Sequence, residues 1–256
     1  EVEQVRARLE EVGRTSKIIS KIETQRGVNN IKEIIDASDG IMVARGDLGA
    51  DLPFEKLPAI QDEIVCRCKD AGKPVIIATH MLESMKDHPV PTRAEVTDTA
   101  HAVATGTDST MLSGATASGS HPLVALQAMI RIHHATEEHL SRLETTYNIH
   151  FRDSAEEEMD KAIALAEEEE VEAFVLITET GRTANHISKF RAPIPIIALT
   201  KNDIIQRSLS LSFGVYALKV DFDSSDDVTM QNGVDLAQKI GLLKKGQKVM
   251  LLKDRA

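Results

Sequence analysis

Two short apolar runs near the start of the chain each end in charged residues that packing alone does not require. In the first run, KIISKIE, side chains alternate between the two faces of a strand, so Lys21 and Glu23 point the same way. The second run ends at Ala44, after which Gly46 lets the backbone approach a ligand and Asp47 supplies a carboxylate. One ammonium and two carboxylates would then converge on a ligand. The alternative is a structural ion pair between Lys21 and Glu23 beside an ordinary glycine turn.

The chain around these residues alternates apolar strands with amphipathic helices. The four predicted strands begin near Lys17, Ile41, Val75 and Ser109. Their spacing of about 24 to 34 residues is typical of repeated βα units. The predicted helices between them cover residues 30–37, 55–70 and 93–104. This alternation indicates parallel strand pairing and a buried sheet.

The residues with chemical function collect where these strands end. They are Lys21 and Glu23 for the first strand, Arg45 and Asp47 for the second, Thr79 and His80 for the third, and Ser113 for the fourth. In a parallel β/α barrel the active site forms at the carboxyl ends of the strands. The sequence therefore predicts one site at that rim, on four βα units that make half of an eight-stranded barrel.

The rest of the chain predicts a second domain. Helices are predicted over residues 1–12 and 121–144, and the polar stretch 147–154 separates two domains, residues 1–146 and 147–256. A helix begins at residue 155, and the strands that follow cover residues 173–177, 194–199, 215–220 and 248–252. Helices are predicted between these strands over residues 183–190, 203–211 and 227–240. This pattern predicts a small open α/β sheet.

One loop of the second domain contains the parts of an anion site. It leaves a strand and opens a helix, and its candidate ligands are Thr178, Thr180, Gly181, Arg182 and Thr183. Hydroxyls, backbone N–H groups at a helix start and an arginine can bind a phosphate. The loop is therefore a candidate site for a phosphorylated effector. A capped βα turn with a surface arginine explains the same residues about as well.

Composition excludes some partners. The net charge of -10 and the pI of about 5.4 disfavour a surface for nucleic acid or for an anionic membrane. We find no apolar run of about 18 residues and no leader pattern, so we expect neither a membrane span nor a signal peptide in this stretch. Cys66 and Cys68 lie two positions apart on a predicted helix, which favours reduced, intracellular thiols.

Five motifs in order resemble those of the pyruvate kinase family. They are KIISKIE at 17–23, DGIMVARGDLG at 39–49, GKPVIIAT with MLESM at 72–85, PTRAE at 91–95 and MLSG at 111–114. The resemblance extends from the first helix almost to the end of the chain. It implies the second half of a TIM-type (β/α)8 catalytic barrel, strands five to eight, followed by a C-terminal α/β domain with a possible effector site. The first four barrel strands and the family's lid domain would then be absent from this chain.

The resemblance implies phosphoryl transfer from phosphoenolpyruvate to ADP, giving pyruvate and ATP in glycolysis. It assigns catalysis to Lys21, Thr79 and Ser113, and Mg²⁺ or Mn²⁺ binding to Glu23 and Asp47. It assigns substrate binding to Lys21, Ala44, Arg45, Gly46, Asp47 and Thr79. The ligands for K⁺ and ADP would lie outside this chain, so we expect the chain alone to be inactive. A homo-oligomer, a tetramer by resemblance, and a cytoplasmic location are further expectations, with a plastid location if a transit peptide precedes this stretch.

Two residues depart from the family pattern. His80 stands where the family usually has Gln or Asn, and Ala115 stands where it has Glu in Ser-Gly-Glu-Thr-Ala. The loss of an acid at Ala115 either is structurally tolerated or weakens the protonation step. It also leaves open an alternative function, a non-catalytic pyruvate-kinase-like module for assembly or effector binding. Lys21, Glu23, Asp47 and Thr79 favour the enzyme, because a scaffold has no need of an ammonium and two carboxylates at one cavity.

Overall fold

The computed structural model describes residues 1–143, 150–223 and 225–253. They belong to two compact units, residues 1–148 and 149–256. The boundary predicted after residue 146 falls among residues 144–149, which lie outside the described residues.

The first unit contains one parallel four-stranded sheet. Its strands are β1 (Ile19–Ile22), β2 (Gly40–Ala44), β3 (Val75–Ala78) and β4 (Ser109–Met111), paired in sequence order. In register, Ile22 is opposite Val43 and Ala44 is opposite Ala78, so the carboxyl ends of the strands lie at one edge. The parallel pairing predicted from the spacing of the strands is confirmed.

Eight helices accompany these strands in the described part of the unit. They are α1 (Val2–Glu11), α2 (Gln25–Asn29), α3 (Ile31–Ala37), α4 (Arg45–Asp51), α5 (Leu57–Asp70), α6 (Arg93–Ala104), α7 (Gly114–Ala117) and α8 (Pro122–Arg142). Two 3-10 turns, Phe54–Lys56 and Glu83–Lys86, precede α5 and α6. Thr92 and Glu95 form a capping box that fixes the start of α6 at its predicted position.

Two local features add to the predictions. The segment after β2, for which an ordinary glycine turn was the alternative, is the helix α4, with Asp47 in the first turn where a carboxylate favours the helix dipole. The helix predicted over residues 30–37 is α3, and it is preceded by the short helix α2, which was not predicted and which Thr24 caps by accepting a hydrogen bond from the N–H of Gly27.

The core of the first unit lies around its central strands. Ile41, Val43, Val75 and Ile77 are fully buried and lie on one face of the sheet, since side chains alternate along a strand and these residues are paired in register. They pack in one cluster with Ile64 of α5 and with residues of α6 and α8. The outer strands β1 and β4 are less buried. Burial thus holds the carboxyl ends of β2 and β3 in place.

The second unit is a parallel sheet with helices on both faces. Its strands are β5 (Ala173–Ile177), β6 (Ile196–Thr200), β7 (Val215–Lys219) and β8 (Val249–Lys253), in the order β7-β6-β5-β8. Its helices are α9 (Ser154–Glu168), α10 (Arg182–Lys189), α11 (Asp203–Leu209) and α12 (Asp226–Lys239). Residues of α9, α10 and α11 pack in one core cluster and α12 in the other. The predicted open α/β sheet is confirmed.

A close contact between α12 and β6 requires glycine. A Cβ atom at Gly233 would collide with the side chain of Leu199. The helix can therefore lie directly on the sheet only because this residue has no side chain.

Cys66 is exposed and Cys68 is buried, and the two form no disulfide with each other. Among the helices of the described segments, none is long and apolar enough to cross a membrane.

Candidate functional site

The carboxyl ends of β1 and β2 bring Lys21, Glu23 and Asp47 together. Lys21 Nζ lies 2.5 Å from Glu23 Oε2 and 3.2 Å from Asp47 Oδ2. The side chains remain 50%, 42% and 65% exposed, respectively, so a ligand from solvent can reach all three. The hydrogen bond to Glu23 is the largest cause that raises the pKa of Lys21, and the hydrogen bond to Asp47 is the next. Both keep the amine charged. The convergence predicted from the spacing of these residues is present.

Thr79 meets Gly46 across the ends of β3 and β2. The N–H of Gly46 donates to Thr79 Oγ1 at 2.7 Å, and that hydroxyl donates to the carbonyl oxygen of Ala78 at 2.6 Å. A Cβ on Gly46 would lie 3.4 Å from Thr79 Oγ1 and 3.7 Å from His80 Cε1. The resemblance assigns substrate binding to Gly46, but its N–H is thus bonded to Thr79, and a ligand that uses this N–H would have to share or replace that bond.

Arg45 does not present its guanidinium to a ligand. The residue is 6% exposed. Its guanidinium makes a bidentate ion pair with Asp98, with distances of 2.6 and 2.7 Å. It also donates to the carbonyl oxygen of Thr79, to Gln61 and to Met81 Sδ. The side chain therefore has no N–H group left for a substrate, so only the Arg45 backbone is available for the predicted substrate contact, which stays a prediction.

The segment that carries Thr79 has an unusual backbone. Thr79, His80 and Leu82 have φ values of 69°, 56° and 51°, in the left-handed region that favours glycine. Each such residue costs about 1–2 kcal/mol, and a β-branched threonine is rare there. Neighbouring contacts must therefore hold the segment in this conformation, as is common at functional sites.

Ser113 and Ala115 lie at the end of β4 and in α7. The Ser113 hydroxyl is buried and has no hydrogen-bond partner among the described residues, which is uncommon in a folded protein. Ala115 is fully buried, and its methyl group supplies no acid at that position. A Cβ at Gly114 would collide with the Glu83 carboxylate, so a different acid lies beside this turn. Sequence reasoning missed Glu83, although it lies within the quoted MLESM motif.

The loop after β5 satisfies its own backbone. Thr178 Oγ1 accepts from the N–H of Gly181 at 2.9 Å, and Thr180 Oγ1 accepts from the N–H of Arg182 at 3.3 Å. Gly181 has a φ of 82° and caps α10. Arg182 is exposed and Thr183 is half-buried. These are the features of the capped turn that the sequence left open, and the effector site stays a prediction.

The described residues contain no cluster of three or more His, Cys, Asp or Glu side chains that could hold a metal ion. Glu23 and Asp47 are two carboxylates that already share one cation, the Lys21 ammonium. This arrangement suits Mg²⁺, which binds through one or two carboxylates and keeps several waters.

Comparisons with known proteins cover nearly the whole chain. A family model described as "Pyruvate kinase, barrel domain" matches residues 1–126, and one described as "Pyruvate kinase, alpha/beta domain" matches residues 156–255. Pyruvate kinase from Bacillus licheniformis is 42% identical over 255 residues, which cover 98% of this chain and 44% of that protein. Pyruvate kinase from Dictyostelium discoideum is 41% identical over 262 residues, covering 98% of this chain and 51% of the relative.

A solved structure agrees with these matches. The crystal structure of a pyruvate kinase from Cryptosporidium parvum superposes with a TM-score of 0.89 at 36% identity, covering 98% of this chain and 54% of that one. The chain thus spans about half the length of the relatives it matches. The predicted fold class, part of a β/α barrel followed by an α/β domain, is confirmed, and the chain belongs to the pyruvate kinase family.

Proposed function

We propose that this chain contributes to an enzyme that transfers the phosphoryl group of phosphoenolpyruvate to ADP, giving pyruvate and ATP. The proposal rests on the convergence of Lys21, Glu23 and Asp47 at the carboxyl rim of the sheet. Thr79, which follows the last residue of β3, lies at the same rim. Phosphoryl transfer needs mainly positioning and positive charge around the transferred group. The exposed, charged Lys21 ammonium supplies that charge at this rim.

The chain's own residues have distinct roles in this proposal. Glu23 and Asp47 would hold Mg²⁺ or Mn²⁺, which when bound orients the phosphate oxygens and neutralises their charge. The N–H groups of Gly46 and Asp47 would receive the substrate carboxylate, with Gly46 exchanging its bond to Thr79 for one to the ligand. Thr79 would lie on the face where the enolate is protonated.

The proton cannot come from a hydroxyl alone, because the pKa of an alcohol is far above neutral. Ser113, whose buried hydroxyl has no partner among the described residues, could join a chain of waters leading to that face. Ala115 has no acidic group, but the Glu83 carboxylate beside Gly114 supplies one near these waters. Ala115 therefore gives no reason to exclude protonation at this site.

The wider assignment rests on family resemblance. The first domain would be part of the catalytic barrel, and the second would carry the effector loop, residues 178–183. By that resemblance the enzyme uses K⁺, works as a homo-oligomer and is cytoplasmic. The alternative of a non-catalytic module would make the Lys21–Glu23 ion pair purely structural, whereas Lys21, Glu23 and Asp47 all remain exposed and within reach of a ligand.

The test is a coupled pyruvate assay on the natural polypeptide that carries this chain. Asp47→Asn should lower turnover on the order of a hundredfold or more, because the amide loses the charge that holds the metal against water. It should also raise the Mg²⁺ concentration needed for half-maximal rate. Asp36→Asn is the matched control, since Asp36 forms an exposed pair with Lys32 on α3.

Two results would contradict the proposal. If the wild-type polypeptide makes no pyruvate from phosphoenolpyruvate and ADP, the non-catalytic module is the better assignment. If Asp47→Asn works within a few-fold of wild type at moderate Mg²⁺, the metal site is elsewhere.

A further inference from the structure

The middle of the strained segment 79–84 packs in the core, where Met81 and Leu82 are fully buried, and both of its ends are hydrogen-bonded to other segments. Three of its residues, Thr79, His80 and Leu82, have left-handed backbones, and none is glycine. Without external contacts such a segment would relax to ordinary backbone angles. Relaxation would move the Thr79 hydroxyl away from the N–H of Gly46, to which it is bonded at 2.7 Å.

Asp98 holds the first end of the segment through Arg45. Its carboxylate pairs with the Arg45 guanidinium, which donates from Nη2 to the Thr79 carbonyl oxygen at 2.8 Å and from Nε to the same oxygen at 3.2 Å. The guanidinium is 7% exposed and planar, so its fork fixes the direction of that carbonyl. The carbonyl is part of the peptide that joins Thr79 to His80, the first two left-handed residues.

Glu95 holds the other end. Its carboxylate accepts from the Ser84 N–H at 2.7 Å and from Ser84 Oγ at 2.5 Å. It also accepts from the N–H and hydroxyl of Thr92, both at 2.8 Å, which ties it to the start of α6. Together these hydrogen bonds lower the pKa of Glu95 against the opposing effect of burial, so the carboxylate stays charged.

Both carboxylates lie on α6, three residues apart and hence on the same side of the helix. We propose that Asp98, acting through Arg45, and Glu95, acting through Ser84, are positioning residues that keep segment 79–84 strained and so hold Thr79 against Gly46. Their effect on catalysis rests on the proposed function of Thr79 in enolate protonation. Neither carboxylate touches the substrate in this proposal.

The structural part is tested by amide hydrogen exchange. The Gly46 N–H reports the position of the Thr79 hydroxyl, and the Ser84 N–H reports the contact with Glu95. Asp98→Asn should speed exchange at Gly46 at least tenfold, and Glu95→Gln should do the same at Ser84. Glu63→Gln, which breaks an exposed pair with Arg67 on α5, is the control and should change neither amide.

The catalytic part is tested by a double-mutant cycle on the natural polypeptide. Asp98→Asn should lower solvent-proton exchange into pyruvate on the order of tenfold or more, and should lower phosphoryl transfer less. Because Asp98 acts through Thr79, the double variant Asp98→Asn with Thr79→Val should be within a few-fold of Thr79→Val alone. If Asp98 had a purely structural role, Asp98→Asn would slow proton exchange and phosphoryl transfer to the same extent. Its effect would then multiply with that of Thr79→Val in the double variant.

The outcomes separate this inference from the proposed function. Unchanged exchange at Gly46 in a folded Asp98→Asn protein overturns the positioning role, whatever the activity. Multiplying effects in the cycle overturn the catalytic part. A wild-type protein that makes no pyruvate contradicts the proposed function, and the exchange at Gly46 and Ser84 then still decides the positioning role. If Asp98→Asn does not fold, the exchange of the Gly46 N–H is measured in Glu95→Gln instead, and an unchanged rate there overturns the positioning role.

Discussion

Replacing Glu156 by Gln should destabilise the second unit by about 3 kcal/mol. The Glu156 and Lys189 side chains are both 0% exposed, and Lys189 Nζ donates to Glu156 Oε2 at 2.7 Å. Arg152 Nε donates to Oε1 at 2.7 Å, and the N–H of Arg152 donates to Oε2 at 2.8 Å. Glutamine keeps the shape but leaves the buried Lys189 ammonium without its carboxylate, a change that typically costs about 3–5 kcal/mol.

The pKa of Glu156 gives an independent magnitude. Burial alone would raise it, but the hydrogen bonds from Arg152 and Lys189 lower the pKa from 4.5 to about 2. A decrease of roughly 2.5 units corresponds to about 3 kcal/mol of folding free energy. Because the folded pKa is the lower one, this stability is fully present above about pH 5. This stability is lost as the pH falls from the pKa of Glu156 in the unfolded chain towards its lower pKa in the folded protein.

Urea denaturation followed by circular dichroism, at pH 7 and again near pH 3, measures both effects. Wild type should lose stability between the two pH values, and Glu156→Gln should lose much less, since its contribution is already gone. The control is Glu169→Gln, which breaks an exposed pair with Lys248 and should leave the midpoint near that of wild type. Replacing Glu156 and Lys189 together by Leu and Met should recover much of the loss.

Two results would refute this reasoning. One is a Glu156→Gln protein as stable at pH 7 as Glu169→Gln. The other is an unchanged difference in stability between pH 7 and pH 3.

Three further predictions concern the site, the loop and the sheet edges. Thr79→Val removes the hydroxyl that accepts from Gly46 and should slow proton exchange into pyruvate more than phosphoryl transfer; equal slowing would contradict its role. Arg182→Ala should remove activation by a sugar phosphate without changing the unactivated rate. If sugar phosphates do not activate the wild type, the loop is only a capped turn and not an effector site. Residues 1–256 should sediment as an oligomer, because in the described residues β1 and β4 are edge strands that pair with a neighbour on one side only. A monomer that makes pyruvate would contradict this.

The residues at the strand ends show how far the sequence alone reaches. Side chains alternate along a strand, and the carboxyl ends of parallel strands meet at one edge, so the convergence of Lys21, Glu23 and Asp47 follows from local pattern and fold class. The ion pairs at 2.5 and 3.2 Å confirm it. The helix predicted over residues 93–104 coincides with α6, and the capping box at Thr92 gives the local reason, since this signal lies within four residues.

Other features depended on the tertiary structure. Arg45 was expected to bind substrate, but it pairs with Asp98, 53 residues further along the chain. No local pattern reports such a pair, because it exists only when the first residue of α4 lies beside α6 in the folded chain. The left-handed conformation of Thr79 is likewise opposed by its intrinsic preference, and its carbonyl oxygen accepts from Arg45, which lies 34 residues earlier in the chain. The sequence by itself thus determined which groups meet at the strand ends, since that depends on short periodicities. Only the tertiary structure decided which of them face a ligand and which hold the backbone, since that depends on contacts between distant segments.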